Sequence, residues 1–192
     1  MGLYDRDLRS VLDDVAGPTP APGAGAVSGV VTAMAAGLIA SAARRSPEWA
    51  EGRGVAAQAQ ALRSRVEKLA EANEEAYLEA LALIESAAED GGRDEAIGKA
   101  LDTAAELPLS IAECAYDVAL LGCEAAQHAD PYGAEDACAA AVLAEAAARA
   151  AAGLVATNLV SMPGDERVVH AQRLAEAATT AAKRAVAASA SR

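Results

Sequence analysis

The chain has 192 residues, of which 53% are hydrophobic and only 3% aromatic, and its formal net charge is −12. A chain of this length can bury a core of its own, so we predict a single domain over residues 1–192. The negative charge repels nucleic-acid phosphate and anionic lipid, which argues against nucleic-acid and membrane partners.

Alanine supplies most of the apolar residues, and phenylalanine is absent. Alanine is the strongest helix former and has little preference for strands. We therefore predict an all-α fold, a single-domain bundle of about six to seven helices with long, buried, Ala-rich members.

The first three predicted helices are separated by proline-rich and glycine-rich breaks. A short amphipathic helix carries Leu3 to Val15 and ends before the prolines at 18–22. The second helix runs from about Gly25 to Arg45 and is apolar nearly all round. It is long enough to span a membrane, but its Gly, Ala, Ser and Thr content favours a buried central helix. A surface helix over about 53–88 follows.

The second half of the chain continues the helical pattern. Helical sequence lies on both sides of Pro108, which either kinks one helix or starts the next. Turn-forming residues at 129–133 precede an Ala-rich helix over about 135–159. A last helix is predicted over about 165–188, after the break at Met162-Pro163-Gly164.

Cysteine and histidine spacing argues against disulfides and metals. The three cysteines are scattered and odd in number, which indicates small buried thiols in a reducing cytoplasm. His128 and His170 lie far apart and without an H-x-x-x-H arrangement, so we predict no metal site. The N-terminus lacks the basic start and apolar run of a signal peptide, and we expect a cytoplasmic protein.

The segment Pro-Ala-Pro-Gly-Ala-Gly-Ala-Val at 20–27 leads into the buried second helix. Glycines at this position let a ligand approach the backbone at a helix N-terminus. They serve a simple turn and close helix packing equally well, and both interpretations stay open.

Two polar residues of the predicted Ala-rich helix over about 135–159 are further candidates for a functional site. Asp136 follows a loop that holds His128, Asp130 and Tyr132, and an isolated acid there is usually a helix cap. Asn158 lies among Ala, Leu and Val, where a satisfied core amide is more common than a ligand.

Together these segments resemble the formiminotetrahydrofolate cyclodeaminase and methenyltetrahydrofolate cyclohydrolase family. The family's P-x-P-G-G-G-S-V segment is similar to residues 20–27, and its acidic-A-F pattern to Asn73-Glu74-Glu75-Ala76-Tyr77. Its P-L segment is similar to Pro108-Leu109, its G-N-x-N-x-x-S-D loop to residues 129–136, and its N-L pair to Asn158-Leu159. The likeness keeps this order along roughly the whole chain.

Several family positions are altered here, while Asp136 is retained. Ala24 replaces a glycine and Ala26 a serine of the first loop. The replacements in the rest of the chain are Asp130 and Tyr132 for two asparagines, Glu135 for a serine, Ala156 for a basic residue, and Arg44-Arg45-Ser46-Pro47 for a lysine-rich segment.

The resemblance implies a helical folate one-carbon enzyme that is a homodimer and needs no cofactor besides its tetrahydrofolate substrate. The enzyme would hydrolyse 5,10-methenyltetrahydrofolate to the formyl compound, or cyclise formiminotetrahydrofolate with loss of ammonia. Asp136 is the expected catalytic acid, stabilising cationic charge and exchanging a proton. His128 is either a proton relay or a partner of a helix C-terminus.

The resemblance also implies a set of substrate-binding residues: Pro22, Gly23, Gly25, Arg44, Arg45, Tyr77, Asp130, Tyr132 and Asn158. Arg44 and Arg45 are expected to attract the anionic glutamate tail, and a solvated helix end is the alternative for both. Because the pocket positions are altered, two other functions stay open. One is catalysis on a different cyclic iminium or amidine, and the other is a non-catalytic dimeric helical binder.

Overall fold

The computed structural model describes residues 2–18, 21–86, 93–160 and 162–191. Within these ranges a short 3-10 helix, Leu3–Asp5, precedes six α-helices: α1 Leu8–Val15, α2 Ala24–Arg45, α3 Gly52–Ser86, α4 Arg93–His128, α5 Pro131–Asn158 and α6 Glu166–Ala190. No strand occurs in the described part of the chain. The predicted all-α class is confirmed.

Helices α2, α4 and α5 form the interior of the bundle, and α4 packs against each of α2, α3, α5 and α6. Helix α2 packs against α3, α4 and α5, and α5 packs in turn against α4 and α6. Small residues bring the backbones close together: a Cβ on Gly29 would lie 2.7 Å from the Cβ of Ala70 on α3. The larger fully buried side chains include Ile39, Ile111 and Val66. The core is therefore thin and closely packed, as the alanine content predicts.

Helices α2 and α5 are long and apolar enough to pass a length-and-composition test for a membrane span. Core helices of soluble proteins pass the same test. The most apolar window of α2 is 61% buried inside the bundle and that of α5 is 44% buried. Helix α2 is thus the mostly buried helix that its sequence predicts, whereas α5 exposes more of its surface.

Three helix boundaries differ from the predicted ones. The first segment is divided at Arg6 into a 3-10 turn and α1, and Asp7 caps α1 by accepting from the Ser10 N–H at 3.1 Å. Helix α4 runs unbroken through Pro108, so the alternative prediction, that a new helix starts there, is wrong. Helix α5 begins at Pro131 because Asp130 caps it, accepting from the Gly133 N–H at 2.6 Å. The predicted end of α3 at 88–92 lies outside the described residues.

The three cysteines are free thiols. Cys114 and Cys123 are buried, as predicted, whereas Cys138 is only half-buried. Burial raises the pKa of the Cys114 thiol to about 11. The described residues therefore contain two inert core thiols and one partly accessible thiol.

Candidate functional site

A cavity of about 240 Å³ opens at the start of α2. Its lining includes the backbone of Gly23, Ala24 and Gly25 from α2 and its cap, Asn73 and Tyr77 from α3, Leu101, Ala104 and Pro108 from α4, and Leu154 and Asn158 from α5. The structure thus brings together four of the predicted substrate-binding residues, Gly23, Gly25, Tyr77 and Asn158.

The first turn of α2 forms one wall of this cavity. Gly23 is the N-cap and has no side chain to cap the helix, so the first-turn N–H groups are not satisfied by a side chain. Such N–H groups, together with the helix dipole, favour an electronegative atom of a ligand. A Cβ on Gly25 would overlap the side-chain amide of Asn73. Glycine at 25 therefore serves close packing of α3 on α2 and leaves the backbone open to the cavity.

Asn158 also lines the cavity and is held by a hydrogen bond to α4. Pro108 has no N–H, so the carbonyl of Ala104 one turn earlier has no partner within its own helix. The Asn158 Nδ2 donates to that carbonyl oxygen at 3.0 Å. Among the described residues the Oδ1 of Asn158 has no partner, which leaves it able to accept from a ligand.

A second group of predicted residues lies where α2 and α4 end and α5 begins. The Arg45 guanidinium pairs with the carboxylate of Asp136, and both side chains remain nearly half exposed. The backbone N–H of Asp130 donates to the Ser46 Oγ at 2.9 Å. The His128 ring stacks on Trp49 with a centroid separation of 5.8 Å. Carboxylate, guanidinium and imidazole groups thus share this end of the bundle.

The remaining predicted residues lie outside both groups. Tyr132 is 80% exposed on the first turn of α5, and Arg44 is exposed beside Arg45. Pro22 is buried and lines an apolar groove between α1 and α2 rather than the cavity. Pro20, the first residue of the family-like loop, lies outside the described residues.

The cavity and the Arg45–Asp136 pair lie at opposite ends of the bundle. Helix α2 runs from Gly25 at the cavity to Arg45 at the pair, and α5 runs in the opposite direction from Asp136 to Asn158. At a rise of about 1.5 Å per residue, each pair is separated by about 30 Å. A single protomer does not bring the expected catalytic acid to the cavity.

Asn73 is a cavity residue that the sequence prediction omits. It precedes Tyr77 by four residues on α3, and this spacing places both side chains on one helix face. The four-residue spacing from Tyr77 is the feature of the sequence that indicates Asn73 as a cavity residue. No group of three or more His, Cys, Asp or Glu side chains suited to a metal ion is found among the described residues.

The described residues define a class of protein: an all-α bundle with a cavity of about 240 Å³ at the N-terminus of α2, where Gly23 and Gly25 lie. The family model for formiminotransferase-cyclodeaminase matches residues 7–186. The chain belongs to that family, which confirms the resemblance seen in its sequence.

The fold also matches a solved structure of the family. The crystal structure of formiminotetrahydrofolate cyclodeaminase from Thermotoga maritima superposes with a TM-score of 0.84 at 22% sequence identity. The match covers 97% of this chain and 96% of that chain. A search of curated protein sequences finds no match.

Proposed function

We propose that the protein is a folate one-carbon enzyme that hydrolyses methenyltetrahydrofolate or cyclises formiminotetrahydrofolate with loss of ammonia. Its family and fold support folate chemistry in general. The observation that carries the proposal is that four family-like segments, distant in sequence, line one cavity: the glycine loop, the Tyr77 segment, Pro108 and Asn158.

The cavity suits a flat heterocycle with a polar edge, such as a pterin. Apolar side chains of Leu81, Leu101 and Leu154 supply its walls, and Tyr77 adds an aromatic ring. The Oδ1 of Asn158 accepts from ring N–H groups, and the first-turn N–H groups of α2 donate to a carbonyl or ring nitrogen.

Both reactions pass through a carbon held between two nitrogens. In hydrolysis a water oxygen adds to this carbon and one C–N bond breaks; one water proton goes to the released nitrogen and the other to solvent. In the deamination the second folate nitrogen adds to the carbon and gives up its proton. The formimino nitrogen takes up that proton and one more from solvent, its bond to the carbon breaks, and it leaves as ammonia. A carboxylate beside the carbon stabilises its cationic charge and exchanges these protons. We assign this role to Asp136, which is paired with Arg45. Because Asp136 lies about 30 Å from the cavity of its own protomer, we assign it to substrate held by the other protomer of the homodimer.

The remaining assignments follow from the same proposal. His128, fixed against Trp49, is the proton relay, and Arg44 with Arg45 attracts the anionic glutamate tail. The enzyme acts in the cytoplasm as a homodimer, with the folate derivative as substrate and without a metal or further cofactor.

The test is turnover of both folates by the purified protein, followed by absorbance. Methenyltetrahydrofolate absorbance falls in hydrolysis and rises when formiminotetrahydrofolate is cyclised. We expect at least one of these absorbance changes to be much faster with the protein than in buffer alone. Gly25→Val drives its side chain into the Asn73 amide at the cavity wall and should slow turnover by at least about tenfold, equivalent to about 1.4 kcal/mol of transition-state binding.

Thr157→Ala is the control, since Thr157 is exposed beside Asn158 and, among the described residues, its hydroxyl donates to the Gly153 carbonyl of its own helix. Its rate should equal that of the wild type. Absence of turnover with both folates would exclude the proposed function.

A diverged substrate is the second candidate, because Ala24 lines the cavity where the family pattern has glycine. Its methyl group narrows the space beside the first turn of α2. Turnover of a smaller cyclic amidine, with neither folate consumed, would favour this candidate.

A further inference from the structure

The expected catalytic acid lies where two parts of the chain meet. One part is the end of α2 with the loop that follows it, and the other is the turn from α4 into α5. The contacts between the parts include the Arg45–Asp136 ion pair, the Trp49–His128 stack, and the hydrogen bond that the Asp130 N–H donates to the Ser46 Oγ. Their relative strength decides which of them holds the acid in place.

The hydroxyl of Ser46 makes the best shielded of these contacts. Ser46 is 5% exposed, whereas the side chains of Arg45 and Asp136 are 48% and 42% exposed. His128 is exposed as well. Because water screens an exposed ion pair, such a pair contributes little to holding two helices together. Breaking a buried hydrogen bond leaves polar groups without a partner and without water, so the Ser46 contact holds more firmly.

The same residue bonds to three segments. The Ser46 Oγ donates to the Ala42 carbonyl, on the last turn of α2, at 2.8 Å, and accepts from the Asp130 N–H at 2.9 Å. The Ser46 carbonyl accepts from the Trp49 N–H at 3.1 Å. Ser46 thus connects the last turn of α2, the loop after it, and the turn that precedes α5.

Asp130 passes this contact on to α5. Its carboxylate accepts from the Gly133 N–H at 2.6 Å and so caps the helix that carries Asp136. Gly133 also lies against α2, because a Cβ on it would come within 3.3 Å of the Ala42 Cβ. A change at Ser46 is therefore passed through closely packed backbone to the first two turns of α5.

We propose that Ser46 is a positioning residue, whose hydroxyl holds Asp136 in place beside Arg45. Because Ser46 is buried, it acts through these side chains and not on the substrate. The positioning stands on the hydrogen bonds of Ser46, whereas its effect on turnover rests on the proposed function.

Three variants separate the hydroxyl from its surroundings. Ser46→Ala removes it and leaves the Asp130 N–H without this acceptor, and Ser46→Thr keeps it. Thr32→Val is the matched control, because Thr32 is also buried on α2 and its hydroxyl donates to the carbonyl four residues earlier at the same 2.8 Å. Among the described residues, the Thr32 hydroxyl bonds within its own helix. Its loss therefore leaves the contact between the two parts intact.

Fluorescence of Trp49 tests the positioning without any substrate. Trp49 is the one tryptophan of the chain, and its stacking partner His128 lies on the other part. When the two parts separate locally, acrylamide should reach the Trp49 ring more easily, and its quenching constant should rise at least about twofold in Ser46→Ala. Ser46→Thr and Thr32→Val should match the wild type. A wild-type constant in Ser46→Ala would overturn the positioning.

Turnover tests the effect on catalysis. Ser46→Ala should slow folate turnover by at least about tenfold, since small misplacements of a catalytic group are costly. In an Asp136→Asn background the same change should slow the remaining turnover by less than about threefold, because the positioned group is already absent. Ser46→Thr should recover most of the wild-type rate. An equal loss in both backgrounds is the result of a merely structural role and would overturn the proposal, as would a wild-type rate in Ser46→Ala.

Two further results keep the test decisive. If Ser46→Ala does not fold, Ser46→Cys replaces it with the same expected outcomes, because a thiol is a weaker donor and acceptor than a hydroxyl. If the wild type consumes neither folate, the proposed function fails, and the quenching of Trp49 alone decides whether Ser46 holds the two parts together.

Discussion

Asn158 donates its side-chain amide to the carbonyl oxygen of Ala104 at 3.0 Å, across the contact between α5 and α4. That carbonyl is the one that Pro108 leaves without a partner in its own helix. The proline and the asparagine of the family pattern are therefore two parts of one structural unit. The hydrogen bond from Asn158 to Ala104 lets α4 continue through the proline and fixes the end of α5 beside the cavity.

Loss of the Asn158–Ala104 hydrogen bond should lower the free energy of unfolding by a measurable amount. Asn158→Leu leaves the Ala104 carbonyl unpaired and should lower the free energy of unfolding by about 1–3 kcal/mol. In a Pro108→Ala background the Ala104 carbonyl regains a helix partner, and the same change should cost clearly less. Denaturant unfolding of the four chains at one protein concentration measures the difference. Equal costs in both backgrounds would show that the two residues are not coupled.

Close packing of α2 on α3 predicts opposite effects of alanine at two glycines. A Cβ on Gly29 would lie 2.7 Å from the Cβ of Ala70, so Gly29→Ala must separate the helices and should destabilise the fold by about 1–3 kcal/mol. A Cβ on Gly153 of α5 meets nothing within 4 Å. Gly153→Ala should stabilise the fold by up to about 1 kcal/mol through helix propensity alone. Thermal unfolding would contradict this account if both substitutions shifted the midpoint in the same direction.

Arg167 connects the start of α6 to α4 and makes stability depend on pH. Its guanidinium contacts Asp165 at 2.7 Å, Asp102 at 2.5 Å and Glu106 at 2.7 Å. Hydrogen bonds from Arg167 lower the pKa of Asp165 from its usual 3.8 to about 2. The folded state thus binds the proton less tightly than the unfolded chain does. The resulting stabilisation is complete above pH 3.8 and disappears as the pH falls through about 2.

Arg167→Leu should therefore lower the unfolding midpoint at neutral pH, and the difference from wild type should shrink as the pH falls from 3.8 to about 2. Arg149→Leu is the control, because Arg149 is 68% exposed and its ion-pair partner among the described residues is Glu145, one turn away on α5. It should change stability little at any pH. A difference for Arg167→Leu that does not vary with pH would contradict the ion-pair account.

The cysteines should differ in reactivity according to their burial. Burial raises the pKa of Cys114 to about 11, so its thiol stays protonated and shielded in the native state. Cys123 is also buried, whereas Cys138 is half-exposed. A thiol reagent at neutral pH should modify one cysteine in native protein and three after unfolding. The Cys138→Ser variant should be unreactive until it unfolds, and rapid native labelling of this variant would contradict the packing described for α4.

Local patterns in the sequence predict the helical class and most helix positions. Alanine content and the breaks around Pro18 and Met162 are local features, and local features determine where helices begin and end. Asp130 and Pro131 fit both a turn and the first residues of a helix, which explains why α5 begins four residues before its predicted start. The continuity of α4 depends on Asn158, a distant residue, and no local pattern around Pro108 contains it.

The candidate site is predicted only in part. The loop glycines, Tyr77 and Asn158 meet through the packing of four helices, which the family resemblance anticipates and the spacing of residues does not. The separation of Asp136 from Asn158, by contrast, follows from the sequence, because both residues lie on one predicted helix and its rise sets a distance of about 33 Å. One chain therefore does not place Asp136 and Asn158 in the same site.

The most direct test of folate chemistry with Asp136 as its acid is the decay of methenyltetrahydrofolate absorbance, or its formation from formiminotetrahydrofolate. Wild type, Asp136→Asn and Glu135→Gln are compared at equal concentration. Glu135 is the exposed neighbouring acid and serves as the matched control. We expect the rate to fall by about a hundredfold in Asp136→Asn and to stay near the wild-type value in Glu135→Gln. A rate in Asp136→Asn equal to that of the wild type would contradict the account.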